Sequence, residues 1–367
     1  MTDKTLDSLR QDIDRIDRAI HELLNERAVC AQQVAEVKLA EMQASGSDTP
    51  VLFYRPEREA QVLAKVKERN PGPLADNAVA HIFREIMSAC LALEEPVKVA
   101  YLGPKGTYTH SAVVKHFGYA VDAIPTESIE QVFAGVEMGE VNYGIVPVEN
   151  SSQGIVTLTL DNLMQTNLTI CGEVELPVKH MLLANKSTDK AKISKICAHQ
   201  QALAQCKQYL DKHWPDVIRE PVSSNAKACQ MAVADNQILA IASLSAAELY
   251  DLSVLDGNIQ DYRTNTTRFL ILGQQAVDPS GSDKTSIIVS VKNKPGALFV
   301  LLEAFEREQV MLTRIDTRPS RTEKWAYVFF IEFEGHQQDA VIQKILQDLS
   351  TKSISIKMLG SYPKAVL

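Results

Sequence analysis

The chain has 367 residues, 45% of them hydrophobic and 23% charged, and a formal net charge of −8. That length exceeds one compact core and predicts two or three domains. The acidic balance excludes nucleic acid as the main partner, since phosphate binding needs a basic surface, but it permits a locally basic pocket for a small anion.

The N-terminus is charged from its third residue and has no apolar core of the kind a signal peptide needs. No run approaches 18 apolar residues, so no membrane span is expected. Six scattered cysteines (30, 90, 171, 197, 206 and 229), without a C-x-x-C pair, predict a reduced, cytoplasmic setting. GxGxxG and Walker patterns and metal-ligand spacings are absent, so neither cofactor nor metal is expected.

In the first segment Leu9, Ile13, Ile16, Ile20, Leu23, Arg27, Cys30, Val34 and Val37 alternate steps of four and three. That heptad seam predicts a helix of roughly 30 residues and about 45 Å. A second helix follows "YRPERE", with Pro56 near its first turn, and "NPGP" precedes a third carrying Val79, Ile82, Phe83, Ile86, Met87, Cys90 and Leu91. Three helices cannot bury so long a seam alone, so a helix-sharing dimer is expected.

Arg27 interrupts the seam, and Lys38, eleven residues on, returns to within about 20° of its face. Arg10 lies roughly 100° off that face and would serve the partner's site instead. Glu94 extends the inner stripe of the third helix, while Arg58 and Glu59 open the second. A solvated helix start explains "RPERE" equally well. Taken together, these residues describe a cationic helical pocket with two carboxyls, suited to a small dianion.

The second segment begins at the strand "VKVAYLG" and alternates strands with helices, one of them from about Gln201 to His213, which is α/β organisation. It ends in "NTTRFLIL" (265–272), which sets Thr266, Thr267 and Arg268 at the mouth of an apolar strand. Strand-edge solubility would account for that stretch read alone. A polar linker, 274–284, leads to a third segment that reads as βαββαβ, a ferredoxin-like pattern.

With "LRQDIDRIDRAIHELLNERAVCAQQVAEVK" and "RPERE", the first segment resembles the all-helical chorismate mutases. "YLGPKGTYTHSA", "VPVENSSQG" and "NTTRF" resemble prephenate dehydratase motifs, and "KPGAL" and "RIDTRPS" resemble the phenylalanine-binding motifs of an ACT domain. The whole chain is similar to the bifunctional chorismate mutase/prephenate dehydratases.

The resemblance implies a mutase domain at 1–95, a two-lobed dehydratase domain at 96–273, a linker at 274–284 and an ACT domain at 285–367. It implies that Arg27 and the partner's Arg10 clamp the carboxylates of chorismate. Lys38 would address the ether side, Arg58 would add positive charge, Glu59 would accept from the ring hydroxyl and Glu94 would donate to the ether oxygen while protonated. In the dehydratase it assigns Thr267 to the leaving hydroxyl, with Asn150, Ser151 and Gln205 as polar neighbours and Glu149 as a candidate proton source. Thr107, Thr109 and Arg268 would bind substrate. L-Phenylalanine would bind at Gly296, Ala297, Leu298, Asp316, Thr317, Arg318 and Pro319 and inhibit the enzyme.

The sequence departs from relatives at Arg55, Cys90 and Ala198, and in reading Asp-Thr-Arg-Pro where Glu-Ser-Arg-Pro is usual. The competing readings are an amino-acid sensor without turnover and an enzyme retaining one activity.

Overall fold

The computed structural model describes residues 5–45, 53–262, 264–292, 294–319 and 327–366. Helix α1 (Leu6–Ser45) runs 40 residues, ten more than its seam predicts, or about 60 Å. It packs on α3 (Asp76–Glu94), which packs in turn on α2 (Pro56–Glu68). Pro56 stands in the first turn of α2, where its missing N–H costs nothing. Only Ala35 of α1 is buried; Leu9, Ile13, Ile16, Ile20, Leu23, Val34 and Val37 remain 40–63% exposed. Covering the exposed halves of these seven side chains is worth on the order of 1 kcal/mol each.

The next domain has two lobes. The first carries β1 (Lys98–Leu102), α4 (Tyr108–Phe117), β2 (Asp122–Thr126), α5 (Ile129–Glu137), β3 (Tyr143–Asn150), the short β4 (Gly154–Ile155), α6 (Thr157–Gln165) and β5 (Thr169–Pro177). The second carries β6 (Met181–Ala184), β7 (Lys195–His199), α7 (Gln200–Gln205), α8 (Lys207–His213), β8 (Ile218–Val222), α9 (Asn225–Ala234), β9 (Ile238–Ala242), α10 (Leu244–Leu249) and β10 (Ser253–Asp256). The single helix expected from Gln201 to His213 is two helices broken at Cys206.

The chain then returns to the first lobe as β11 (Thr266–Gly273), which lies between β3 and β5 in the order β2-β1-β3-β11-β5. The second sheet has the order β10-β6-β9-β7-β8. Two crossing segments, 178–180 and 257–265, join the lobes and are bonded to each other. Val178 N donates to Asn265 O at 2.8 Å, and Ile259 N to His180 O at 2.9 Å.

The third domain has β12 (Asp283–Val291), α11 (Ala297–Arg307), β13 (Leu312–Pro319), β14 (Tyr327–Glu334), α12 (Ala340–Lys352) and β15 (Ser355–Pro363), an antiparallel sheet ordered β13-β14-β12-β15. This is the βαββαβ arrangement read from the sequence; Ser320 and the Trp325–Ala326 start of its third strand lie outside the described residues. The sheet packs on the first lobe through a shared apolar cluster. Val146, Val148, Ile170 and Leu270 of the lobe meet Ile288, Phe330, Leu359 and Tyr362. At Gly360 a Cβ would stand 2.5 Å from Ile170 O, so only glycine lets β15 lie this close to β5.

The polar segment 274–284 is packed rather than a solvated tether. Val277 is buried, Tyr143 Oη donates to Gln275 Oε1 at 2.9 Å, and His336 Nε2 lies 3.0 Å from Val277 O. Among the described residues no helix is long and apolar enough to cross a membrane.

Candidate active sites

Two cavities of similar size collect most of the catalytic and substrate-binding residues singled out in the sequence. The first, of ≈ 360 Å³, lies among the three N-terminal helices. The helical spacing that builds the exposed seam of α1 also brings Arg27 and Lys38 to this cavity, where Arg58 and Glu59 of α2 and Glu94 of α3 join them. Arg10 does not line it; it pairs along α1 with Asp7 at 3.8 Å, as its angular offset from Arg27 requires.

The two carboxyls sit in different fields. Burial raises the Glu94 pKa, and Lys38 and Arg27 oppose the rise. Burial also raises Glu59, against the pull of Arg84, whose Nη2 stands 3.0 Å from Glu59 Oε1. The departures have partners of their own. Arg55 pairs with Glu57 and with Asp278 of the packed segment 274–284, and Cys90 is a buried wall residue.

The second cavity, of ≈ 370 Å³, lies between the two lobes. Thr107, Thr109, Asn150, Gln205 and Thr267 all line it. Thr107 caps α4 by accepting from His110 N at 3.3 Å, and Ser224 caps α9 by accepting from Lys227 N at 3.0 Å. The N-termini of two ten-residue helices therefore face the cavity from opposite lobes, a disposition suited to an elongated dianion.

Thr267 and Asn150 meet because β3 carries a bulge. The pairing steps from Arg268↔Glu149 to Phe269↔Pro147, which leaves Val148 as the extra residue on β3. The bulge resets the alternation and turns Asn150 toward Thr267: its Nδ2 donates to Thr267 Oγ1 at 2.8 Å. The same shift turns Glu149 to the opposite face, beside Arg268.

Three expectations are corrected here. Arg268 does not reach the inter-lobe cavity, because alternation along β11 sends it to the face opposite Thr267. There it is buried, its Nε 2.7 Å from Glu173 Oε2 and its Nη1 2.7 Å from Glu332 Oε2 of the third domain. Glu149, the candidate proton source, faces the same way and pairs with Arg314 at 3.2 Å. Ser151 leaves the cavity wall to clasp the returning chain: its Oγ donates to Thr264 O at 3.2 Å and accepts from Thr266 N at 2.9 Å.

Sequence reasoning missed Tyr108, His180, Ser224, Asn225 and Ser243, all of which line the cavity. "SSNAKAC" and "SLSAAE" carry helix-capping signals that point to the serines. His180 is buried in a crossing segment, and its Nε2 stands 2.8 Å from Gln205 Oε1. Burial lowers its pKa against the Gln205 hydrogen bond, which favours the neutral ring. His199 lines the cavity as the cap of α7, its Nδ1 accepting from Gln201 N at 3.3 Å.

In the third domain Gly296, in the left-handed conformation at φ 80°, precedes Ala297 and Leu298 at the start of α11. Asp316, Thr317, Arg318 and Pro319 lie on the edge strand β13. Asp316 pairs with Arg314, and Arg318 Nη2 reaches Asp161 of α6 at 2.7 Å. Two side chains of the β13 motif region thus grip the dehydratase-like lobe on either side of the Asn150 loop.

Comparison with known proteins gives three family matches: chorismate mutase type II over residues 9–95, prephenate dehydratase over 99–277 and the ACT domain over 285–351. The bifunctional chorismate mutase/prephenate dehydratase of Pseudomonas aeruginosa is 52% identical over 362 residues, covering 99% of this chain and 98% of its own. The prephenate dehydratase of Methanocaldococcus jannaschii is 38% identical over 72% of this chain and 97% of its own. Among solved structures, the prephenate dehydratase of Arthrobacter aurescens in complex with L-Phe is similar, with a TM-score of 0.66 and 33% identity. That match covers 73% of this chain and 90% of that one.

Proposed function

Since the chain belongs to the bifunctional chorismate mutase/prephenate dehydratases, we propose that its two cavities divide the two reactions between them. The enzyme rearranges chorismate to prephenate, then dehydrates and decarboxylates prephenate to phenylpyruvate. The sensor reading falls with that membership.

The helical cavity serves the rearrangement. A pericyclic step needs no nucleophile; it needs a compact substrate conformer and charge at the breaking ether bond. Arg27 and Arg58 hold carboxylate, Lys38 and a protonated Glu94 address the ether oxygen, and Glu59 accepts from the ring hydroxyl. Arg10 enters from a second copy whose α1 covers the exposed seam, so the unit is a homodimer or a larger homo-oligomer. The six free cysteines support a cytoplasmic setting.

The inter-lobe cavity serves the dehydration. The N-termini of α4 and α9 hold the two carboxylates of prephenate, and Gln205 supplies a polar wall. Thr267 meets the leaving hydroxyl. As the ring loses carbon dioxide and hydroxide together, the Thr267 hydroxyl donates a hydrogen bond to the departing oxygen, and solvent supplies the proton that completes water.

L-Phenylalanine acts at the motifs of α11 and β13, and its signal reaches the dehydratase through Arg314–Glu149 and Arg318–Asp161.

The hydrogen bond from Asn150 to Thr267 on the cavity wall carries this reading. Chorismate supplied to Thr267→Val should disappear at the normal rate while prephenate accumulates. Near-normal phenylpyruvate formation would return Thr267 to a strand edge.

A further inference from the structure

We propose that Asn265, which has no place in either reaction so far, is a positioning residue for the dehydration step. It holds the Asn150 carboxamide in the one orientation that leaves the Thr267 proton facing substrate. The inference rests on the assignment of Thr267 to the leaving hydroxyl.

Asn150 Oδ1 accepts from Ser152 N at 3.0 Å, and a backbone N–H can only donate, so the oxygen and nitrogen of this carboxamide are fixed by chemistry. Both hydrogens on Nδ2 are then committed: one to Thr267 Oγ1 at 2.8 Å, the other to Asn265 Oδ1 at 2.9 Å. Thr267 Oγ1 is therefore an acceptor from Asn150, and its own hydrogen remains for the cavity it lines. The reversed carboxamide would set Asn150 Oδ1 against Asn265 Oδ1 and draw the threonine proton onto itself.

Asn265 makes this hold at a cost to itself. It is 3% exposed, and its Nδ2 is buried without a hydrogen-bond partner among the described residues. Turning its own amide would bring two donors face to face, so the orphan is the consequence of presenting oxygen to Asn150. An unpaired buried donor lowers stability, which is a poor reason to keep asparagine in a purely structural place. Its backbone is held independently, Val178 N donating to Asn265 O at 2.8 Å, so side-chain variants leave the crossing segments joined.

The test compares Asn265→Leu, Asn265→Ala and Asn265→Asp with Thr267→Val in the full chain. Chorismate consumption serves as the control for folding. Asp keeps an oxygen toward Asn150 in either protonation state; Leu and Ala do not. The dehydratase kcat should fall roughly tenfold or more in Leu and Ala, with KM within about twofold, and return to within about threefold of wild type in Asp. If Leu fails to fold, Ala carries the comparison. Wild-type kcat in Leu or Ala, or an Asp variant as slow as Ala, overturns the role of Asn265 while an inactive Thr267→Val leaves the reading of Thr267 intact. An active Thr267→Val removes that reading itself.

Discussion

Arg268→Met removes the cation that joins β11 to the sheet of the third domain, and its effect follows from what it leaves behind. The side chains of Arg268, Glu173 and Glu332 are 10%, 2% and 9% exposed, so solvent screens the cluster little. Glu173 keeps Lys284, 2.8 Å from its Oε1, whereas Glu332 has Arg268 as its ion-pair partner. Breaking a buried pair from one side typically costs about 3–5 kcal/mol, because the remaining charge is stranded. For a unit of this size that corresponds to a fall in Tm of roughly 6 to 15 °C.

The pH dependence has a definite sign. Burial works to raise the Glu173 pKa, but Arg268 and Lys284 outweigh it and hold it below the usual carboxylate range. Its contribution is therefore present above the unfolded pKa and is lost as pH falls through the folded one. In the variant Glu173 loses one of the two cations that hold its pKa down, so the penalty is greatest above the unfolded carboxylate pKa and shrinks as pH falls through the folded one. Calorimetry of the full chain at several pH values measures both effects, and Arg268→Met with Glu332→Gln should recover at least half of the loss. A single variant melting within about 2 °C of wild type, or a double variant no better than the single, refutes the argument.

Glu94→Gln should flatten a mutase pH profile that otherwise falls as pH rises through the elevated Glu94 pKa, since only the protonated carboxyl donates to the ether oxygen; an unchanged profile argues against that role. Ile16→Glu places a charge on the exposed seam and should lower sedimentation mass and mutase rate together while sparing dehydration of supplied prephenate. Arg314→Leu should raise the L-phenylalanine concentration needed for half-inhibition several-fold without loss of basal dehydratase turnover, read from inhibition curves. Unaltered curves would mean that the signal travels elsewhere.

The helical site was legible because a cation in an apolar heptad is conspicuous. Arg27, Lys38 and Glu94 declared themselves by position, and periodicity alone separated Arg10 from them. Thr267 was legible as a polar residue entering a buried strand. Its neighbour Arg268 was not, because both faces of that strand are covered and the second cover is a domain that begins more than ten residues later. Asn150 and Glu149 were harder still. Simple alternation would put them on the faces opposite to those they occupy, and the bulge that reverses them is a property of the pairing with β11. Ser151 and the segment 274–284 looked functional and solvated by composition, yet each is consumed by contacts with chain distant in sequence.

The place of Thr267 immediately after the second crossing segment has a mechanical consequence. Residues on the axis of a rotation move least, and the two bonded crossings are the natural pivot for any change in the angle between the lobes. The helix N-termini assigned to the carboxylates stand out on the lever arms, one on each lobe, where a few degrees become ångströms. With the roles proposed above, substrate capture can thus sweep through a wide range of openings while the Thr267 hydroxyl stays close to the fulcrum.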